Sequence, residues 1–150
     1  NRRPQCLLGG NKILSFTKMK IIDKIAWLQI KNGKILSTRS KGKDTFYIPG
    51  GKRELGETDI DTLVREIKEE LDVEIIKDSA NYYGTFIAQS HGDTSGVMVN
   101  MTCYMASYIG LLRASSEIAE YQWLSSDNIE IISPVDKLIF LDLINHEMIN

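Results

Sequence analysis

Glu66, Glu69 and Glu70 lie within five residues of one another in the stretch GGKRELGETDIDTLVREIKEELDV, residues 50–73. Like charges at these spacings on one helix repel. A proline and two glycines, Pro49, Gly50 and Gly51, stand just before them. Hard divalent cations such as Mg²⁺ take oxygen ligands, and Mg²⁺ commonly joins carboxylates to substrate phosphates. Read as a loop, PGG just before such a helix lets backbone approach a metal or a phosphate, because no side chain intervenes. Carboxylates alone would repel a polyphosphate. A bound cation reverses that sign and polarises the P–O bonds. The bland alternative is a solvated helix face, which shows the same charges without the glycines.

The elements must hold these groups. Ile60, Leu63, Val64, Ile67 and Leu71 follow helical spacing and predict a helix over 59–71. At about 100° per residue, the glutamates cluster roughly 120° from the centre of that stripe. The helix therefore packs by one side and presents carboxylates along its flank. Thr58 caps it with Asp61 three residues on, and Arg65 can pair with Glu69 at i, i+4. Strands are expected at 23–30, 34–40, 45–48, 82–89, 97–109 and 118–124. Asn32-Gly33 reads as a hairpin turn, and HGDTSG at 91–96 as a connection. SPVD at 133–136 opens a last helix, with Ser133 as cap, Pro134 at the first helical position and Asp136 in a capping box. Strands mixed with two separated helices give an α/β or α+β sandwich.

Composition sets limits. The chain has 150 residues, enough for one domain with a sizeable core. Its formal net charge of −2 supplies no basic field for a nucleic acid polymer. No apolar run reaches membrane-spanning length. Cys6 and Cys103 make neither a disulfide framework nor a metal cluster, so a cytoplasmic location is expected. Residues 1–18 read as an N-terminal extension, and 19–150 as the domain.

Residues 51–73 resemble the signature box of the Nudix hydrolases: Gly51, Glu57, Arg65, Glu66, Ile67, Glu69, Glu70 and Val73 all match, and Asp72 stands where the family usually has Gly. The order of elements around the box is similar to the family's αβα sandwich, a mixed sheet between helices. Asp72 falls where a left-handed helix end is expected, which Asp tolerates less well than Gly.

The resemblance implies roles. Glu66, Glu69 and Glu70 would bind Mg²⁺ or Mn²⁺, with the Gly50 or Gly51 carbonyl as a further ligand. Glu57 would hydrogen-bond Arg65 or support the metal, and Arg65 would orient the carboxylates. Lys52, beside Gly51, would meet a substrate phosphate. Glu66 or a loop glutamate would deprotonate the attacking water. Glu117, six residues before Trp123, is the loop candidate, and Glu120 competes with it. His91 reads as a loop histidine. Trp27, Trp123, Tyr82, Tyr83, Met98 and Met101 read as core.

The implied activity is Mg²⁺-dependent cleavage of a nucleoside diphosphate linked to a further group. Members acting on ADP-ribose usually carry a proline soon after the box, and here none stands between Pro49 and Pro134. Gln89, Ser90 and His91 stand where dinucleoside polyphosphate members often have Tyr. ILSTRS at 35–40 echoes the coenzyme A subgroup only faintly. The spelling IPGGKRELGE is most similar to MutT-like enzymes, which release pyrophosphate and a monophosphate from nucleoside triphosphates, some of them oxidised like 8-oxo-dGTP. A nucleotide sugar, or a sensor that binds without cleaving, is the alternative. A homodimer stays open.

Overall fold

The computed structural model describes residues 20–92 and 96–150. The expected extension at 1–18 lies outside them. The elements run β1 (Lys20–Trp27), β2 (Ile30–Lys31), β3 (Lys34–Ser40), β4 (Phe46–Tyr47), β5 (Gly50–Lys52), α1 (Asp59–Leu71), β6 (Glu74–Ile75), β7 (Asn81–Gln89), β8 (Val97–Met105), β9 (Tyr108–Ile109), β10 (Ile118–Leu124) and α2 (Pro134–Asn145).

Alternation along the strands decides the layers. Ile25 and Trp27 of β1 and Leu36 of β3 face one side, where Leu63, Ile67 and Leu71 of α1 bury against them. Ala26 of β1 and Ile35 of β3 face the other side, packed with Ile139, Phe140 and Leu143 of α2. Two helices thus sandwich the strands, an α+β arrangement with an αβα section. One sheet runs β5-β1-β8-β7; β1 pairs parallel with β8 and the other pairs are antiparallel. A second runs β10-β3-β2 with β4 beside β3, and a third is the pair β6-β9.

The helix and hairpin expectations hold. α1 spans 59–71, and both hydrogen bonds of the Thr58–Asp61 capping box form. Asn32 and Gly33 take positive φ (53° and 74°), the two-residue turn that matches strand twist.

Other expectations are corrected. The first strand starts at Lys20 and stops at Trp27, not 23–30. The glycine stretch is no loop but an edge strand, β5, pairing Gly51 with Ile25 and Gly50 with Ala26. The strand expected over 97–109 breaks after Met105. There the buried Trp27 indole donates to the Ala106 carbonyl (3.0 Å) and the Ser79 hydroxyl accepts the Ser107 N–H (2.8 Å), so β9 leaves to join β6. Tyr82 is 60% exposed and not core. Ser133 caps α2 as expected, accepting the Asp136 N–H, but Asp136 forms no capping box; its carboxylate accepts the Ile48 N–H instead (2.9 Å).

Asp72 takes the left-handed conformation (φ 58°, ψ 34°) and closes α1 by donating its N–H to the Lys68 carbonyl. Lys68 (3.2 Å) and Arg113 (2.8 Å) hold its carboxylate at the exposed helix end. Glycine adopts this conformation without a Cβ penalty, and exposed ion pairs contribute little. Asp72→Gly should therefore leave the Tm unchanged or raise it by about 4 °C at most. Thermal melting checks this; a fall of many degrees would place the helix end on the ion pairs instead of the backbone.

Candidate functional site

A cleft of about 390 Å³ opens between α1, β5 and the start of β10. Its wall carries Gly50, Gly51, Lys52, Glu66, Glu70 and Glu117, with Lys24, Tyr47 and Met101 beside them. Three of these are carboxylates.

Glu70 is the buried one, 9% exposed. Its Oε1 accepts the Gly50 N–H (3.2 Å). Burial pushes its pKa up to about 8; the Gly50 bond opposes this, the charges of Glu66 and Glu117 add to it, and Lys24 opposes it. Glu66, one turn earlier, is half-buried. Burial raises its pKa as well, against the opposing pull of Arg65. Glu69 points to solvent, its side chain 53% exposed, 3.5 Å from Arg65. It is not part of the cleft wall. The structure therefore brings two of the three helix glutamates into the cleft and leaves the third at its rim.

Arg65 organises the flank. Its Nε and terminal nitrogen donate to both Glu57 oxygens (2.7 and 2.8 Å), its other nitrogen to Glu66 Oε2 (2.7 Å), and it also reaches the Lys52 carbonyl (3.0 Å). Glu57 further accepts from the Glu54 N–H (2.8 Å) and the Thr62 hydroxyl (3.0 Å). The Arg65 guanidinium, first among these partners, holds its carboxyl down to about 2. With both oxygens engaged, Glu57 does not reach the cleft wall and acts on it through Arg65, one of the two roles expected of it.

The glycines are required sterically. At Gly50 (φ 148°) a Cβ would lie 2.0 Å from the Ile25 carbonyl oxygen. At Gly51 it would lie 2.4 Å from the Glu66 carboxyl carbon, so the absent side chain makes room for a carboxylate against the strand.

The two loop glutamates differ in their surroundings. Glu120 is tied to Arg39 of β3 (2.7 Å), whereas Glu117 is exposed and lines the cleft. Trp123 is half-buried under Lys31, and Met101 is buried yet reaches the cleft wall. His91 bonds the Thr45 hydroxyl (3.1 Å) and meets the Tyr47 ring edge-on (6.2 Å). With Tyr47 it lines an adjoining hollow of about 180 Å³.

Lys24 is the site residue that sequence reasoning missed. It lies on β1 opposite Lys52, half-buried, with its ammonium 5.9 Å from the Tyr47 ring centre. It lines both the cleft and the adjoining hollow. The signal was present in DKIAW: a strand covered on both faces still carries a lysine, and such a lysine has to face a polar site.

Among the described residues, no three acidic, histidine or cysteine side chains stand together as a ready ligand set. The chemistry of the donors nevertheless suits a hard divalent cation: only oxygens, three carboxylates in one cleft, and a glycine gap beside one of them. The mutual repulsion of Glu66, Glu70 and Glu117 is what a cation would relieve.

Comparison with known proteins agrees with this geometry. Residues 24–142 match the NUDIX domain family. An uncharacterized Nudix hydrolase, YvcI of Bacillus subtilis (strain 168), is 29% identical over 97 residues, which is 65% of this chain and 61% of that protein. The chain thus matches about three-fifths of that relative's length. The solution structure of the E. coli ORF135 protein superposes with a TM-score of 0.68 at 25% identity, over 86% of this chain and 92% of that one. The MutT protein from Methanosarcina mazei Go1 is similar in fold, with a TM-score of 0.67 at 19% identity over 85% and 96% of the two chains.

The Glu70 shift has a direct consequence. A carboxyl at about 8 when folded and 4.5 ordinarily binds its proton more tightly in the folded state. Stability without metal therefore falls as pH rises from the ordinary value through the folded one. Glu70→Gln, uncharged throughout, should lose less stability over that interval and melt at an equal or higher temperature at its upper end. Melting curves in chelator across this range test it; parallel curves for the two proteins would contradict it.

Proposed function

The chain belongs to the NUDIX domain family, and from that premise we propose that residues 19–150 form a divalent-metal-dependent pyrophosphohydrolase acting on a nucleoside triphosphate. The observation that carries the reading is the single cleft in which Glu66, Glu70 and Glu117 meet Gly50, Gly51 and Lys52. A row of acids beside a bare glycine strand and a lysine suits a diphosphate carried with Mg²⁺ or Mn²⁺, and little else. Glu66 and Glu70, with a Gly50 or Gly51 carbonyl and with Glu69 beside them on α1, would hold the cation. When bound it supplies charge neutralisation and polarisation of the phosphoanhydride.

The chain's own groups divide the remaining work. Lys52 and Lys24 approach the cleft from adjacent strands and attract phosphate oxygens. Arg65 fixes Glu66 and the Lys52 backbone, so the carboxylate is oriented before substrate arrives. Glu66 and Glu70 are both engaged in hydrogen bonds. Glu117 is left to take the proton of the attacking water. That water's oxygen forms a bond to phosphorus, the P–O bond of the anhydride breaks, and the products are a nucleoside monophosphate and pyrophosphate. The hollow beside Tyr47 and His91 offers an aromatic and polar wall for the base, including an oxidised purine such as that of 8-oxo-dGTP.

A screen of nucleoside triphosphates and nucleotide sugars with Mg²⁺, products identified by mass, tests the activity. Monophosphate and pyrophosphate should appear from a triphosphate and vanish in excess EDTA. Full turnover in EDTA would refute the metal requirement, and nucleotide binding without any product would leave a sensor.

Two variants separate the roles. Glu117→Gln should lower kcat by about 10²–10⁴-fold and remove the acidic limb of the pH–rate profile. An unchanged limb would return the base to Glu66. Gly51→Ala should lower activity by about 10²-fold, because the new methyl displaces the Glu66 carboxylate. Its Tm should stay near wild type, since the displaced atoms end a flexible side chain. A large drop in Tm with kcat unchanged would mean that Gly51 serves the strand and not the site.

A further inference from the structure

Ile48, Pro49 and Gly50 run into the cleft wall, and each uses one backbone group on a different element. Gly50 N–H donates to Glu70 Oε1 on α1 (3.2 Å). The Pro49 carbonyl accepts the Trp27 N–H of β1 (2.9 Å). Ile48 N–H donates to Asp136 Oδ2 on α2 (2.9 Å), across 88 residues of sequence. Proline has no N–H of its own. The segment therefore hangs between the two helices by a buried carboxylate from each side.

Asp136 is an expensive residue for a helix cap. It is fully buried, and its second oxygen, Oδ1, has no hydrogen-bond partner. A buried unpaired carboxylate oxygen costs stability. Ser133 already provides the cap, its hydroxyl accepting the Asp136 N–H (3.4 Å). What the carboxylate adds is the bond to Ile48. Lys24, Tyr47 and Cys103 are the charged or titratable groups that face it, from β1, β4 and β8.

We propose that Asp136 is a positioning residue for the glycine strand: by accepting the Ile48 N–H it sets the path of Pro49-Gly50-Gly51, and through that path the placement of Glu70 and of the glycine carbonyls in the cleft. This rests on reading the cleft as the hydrolytic site. β5 makes the role necessary. It is three residues long and lies at the end of its sheet, paired on one side only, with β1. On its outer side, among the described residues, only side chains of α1 reach it, Glu70 at the Gly50 N–H and Arg65 at the Lys52 carbonyl, so the direction from which it enters is set by the residues just before it. A shift of about 1 Å at such a site can cost about 10²-fold in rate.

Asp136→Asn keeps an acceptor for Ile48 N–H, and Asp136→Ala removes it. The two variants and wild type are compared without metal or nucleotide by amide hydrogen exchange at Ile48 and Gly50, then by titration with Mn²⁺ alone, then by kcat and KM on the triphosphate that wild type cleaves. In the Ala variant, Ile48 should exchange about tenfold faster or more. Mn²⁺ binding should weaken, and kcat should fall by about 10–100-fold with KM changed less. The Asn variant should stay near wild type in all three. The proposal is overturned if the folded Ala variant keeps its Ile48 protection, or if Asn loses as much as Ala. A change in base preference with Ile48 protection intact also overturns it, in favour of direct contact with the ligand. Should the Ala variant not fold, loss of Ile48 protection in the Asn variant still overturns it. If wild type cleaves no nucleotide, the reading of the cleft fails, while exchange and Mn²⁺ binding still judge Asp136.

Discussion

The structure depends on how a short glycine strand is held. β5 has three residues and a single neighbouring strand, so the ladder to β1 cannot fix it alone. Three backbone hydrogen bonds at Ile48, Pro49 and Gly50 tie it to α2, β1 and α1 in turn. Both helices bury their apolar faces on the strands between them. Their positions are therefore set by the core, and the glycine strand inherits those positions through two carboxylates. Packing decides where the helices lie, and the helices decide where the site lies.

Charge is the opposing force. Glu66, Glu70 and Glu117 share one cleft, and burial raises the first two towards protonation. Left alone this arrangement would loosen α1. Arg65 restrains it from the outside, joining Glu57, Glu66 and the Lys52 backbone in one network. The network is asymmetric. Glu57 is saturated with donors and stays ionised, whereas Glu70 has one backbone N–H and a large desolvation cost. The acid that stays charged, Glu57, stands just before the start of α1, and the acids pushed towards neutrality, Glu66 and Glu70, stand on the helix in the cleft. The difference comes from hydrogen-bond donors around the first and desolvation of the others.

Much of this was legible in the sequence where local chemistry speaks. The apolar stripe Ile60–Leu71, the Thr58 cap and the Asn32-Gly33 turn each carry their own signal, and each element formed as read. The box residues were legible as a set, but their division was not. Spacing puts Glu66, Glu69 and Glu70 on one flank, yet only the position of β5 decides that Glu70 is buried and Glu69 is not. β5 itself was read as loop, because two glycines carry no strand propensity; its pairing is imposed by β1. The break after Met105 was hidden for the same kind of reason. It is caused by the Trp27 indole, distant in sequence and capturing the Ala106 carbonyl. Lys24 and Asp136 are long-range too: one is defined by both faces of β1 being covered, the other by a backbone N–H far along the chain.

Asp136 shows why a local rule can point to the right residue and the wrong partner. SPVD has the composition of a capping motif, and a capping aspartate belongs on the surface, where its charge is solvated. Here the helix start is buried against the strands, so the carboxylate cannot reach water. A carboxylate in that position must find a donor or lose its charge, and the donor it finds is the Ile48 amide, which precedes a proline. Pro49 leaves Ile48 as the last residue before Gly50 with an N–H to give. The proline that ends the preceding strand and the aspartate that begins the last helix are thus two halves of one contact. The same physical demand, that a buried carboxylate find a donor, ties the glycine strand to Glu70 on one side and to Asp136 on the other, although Asp136 satisfies it with one oxygen only.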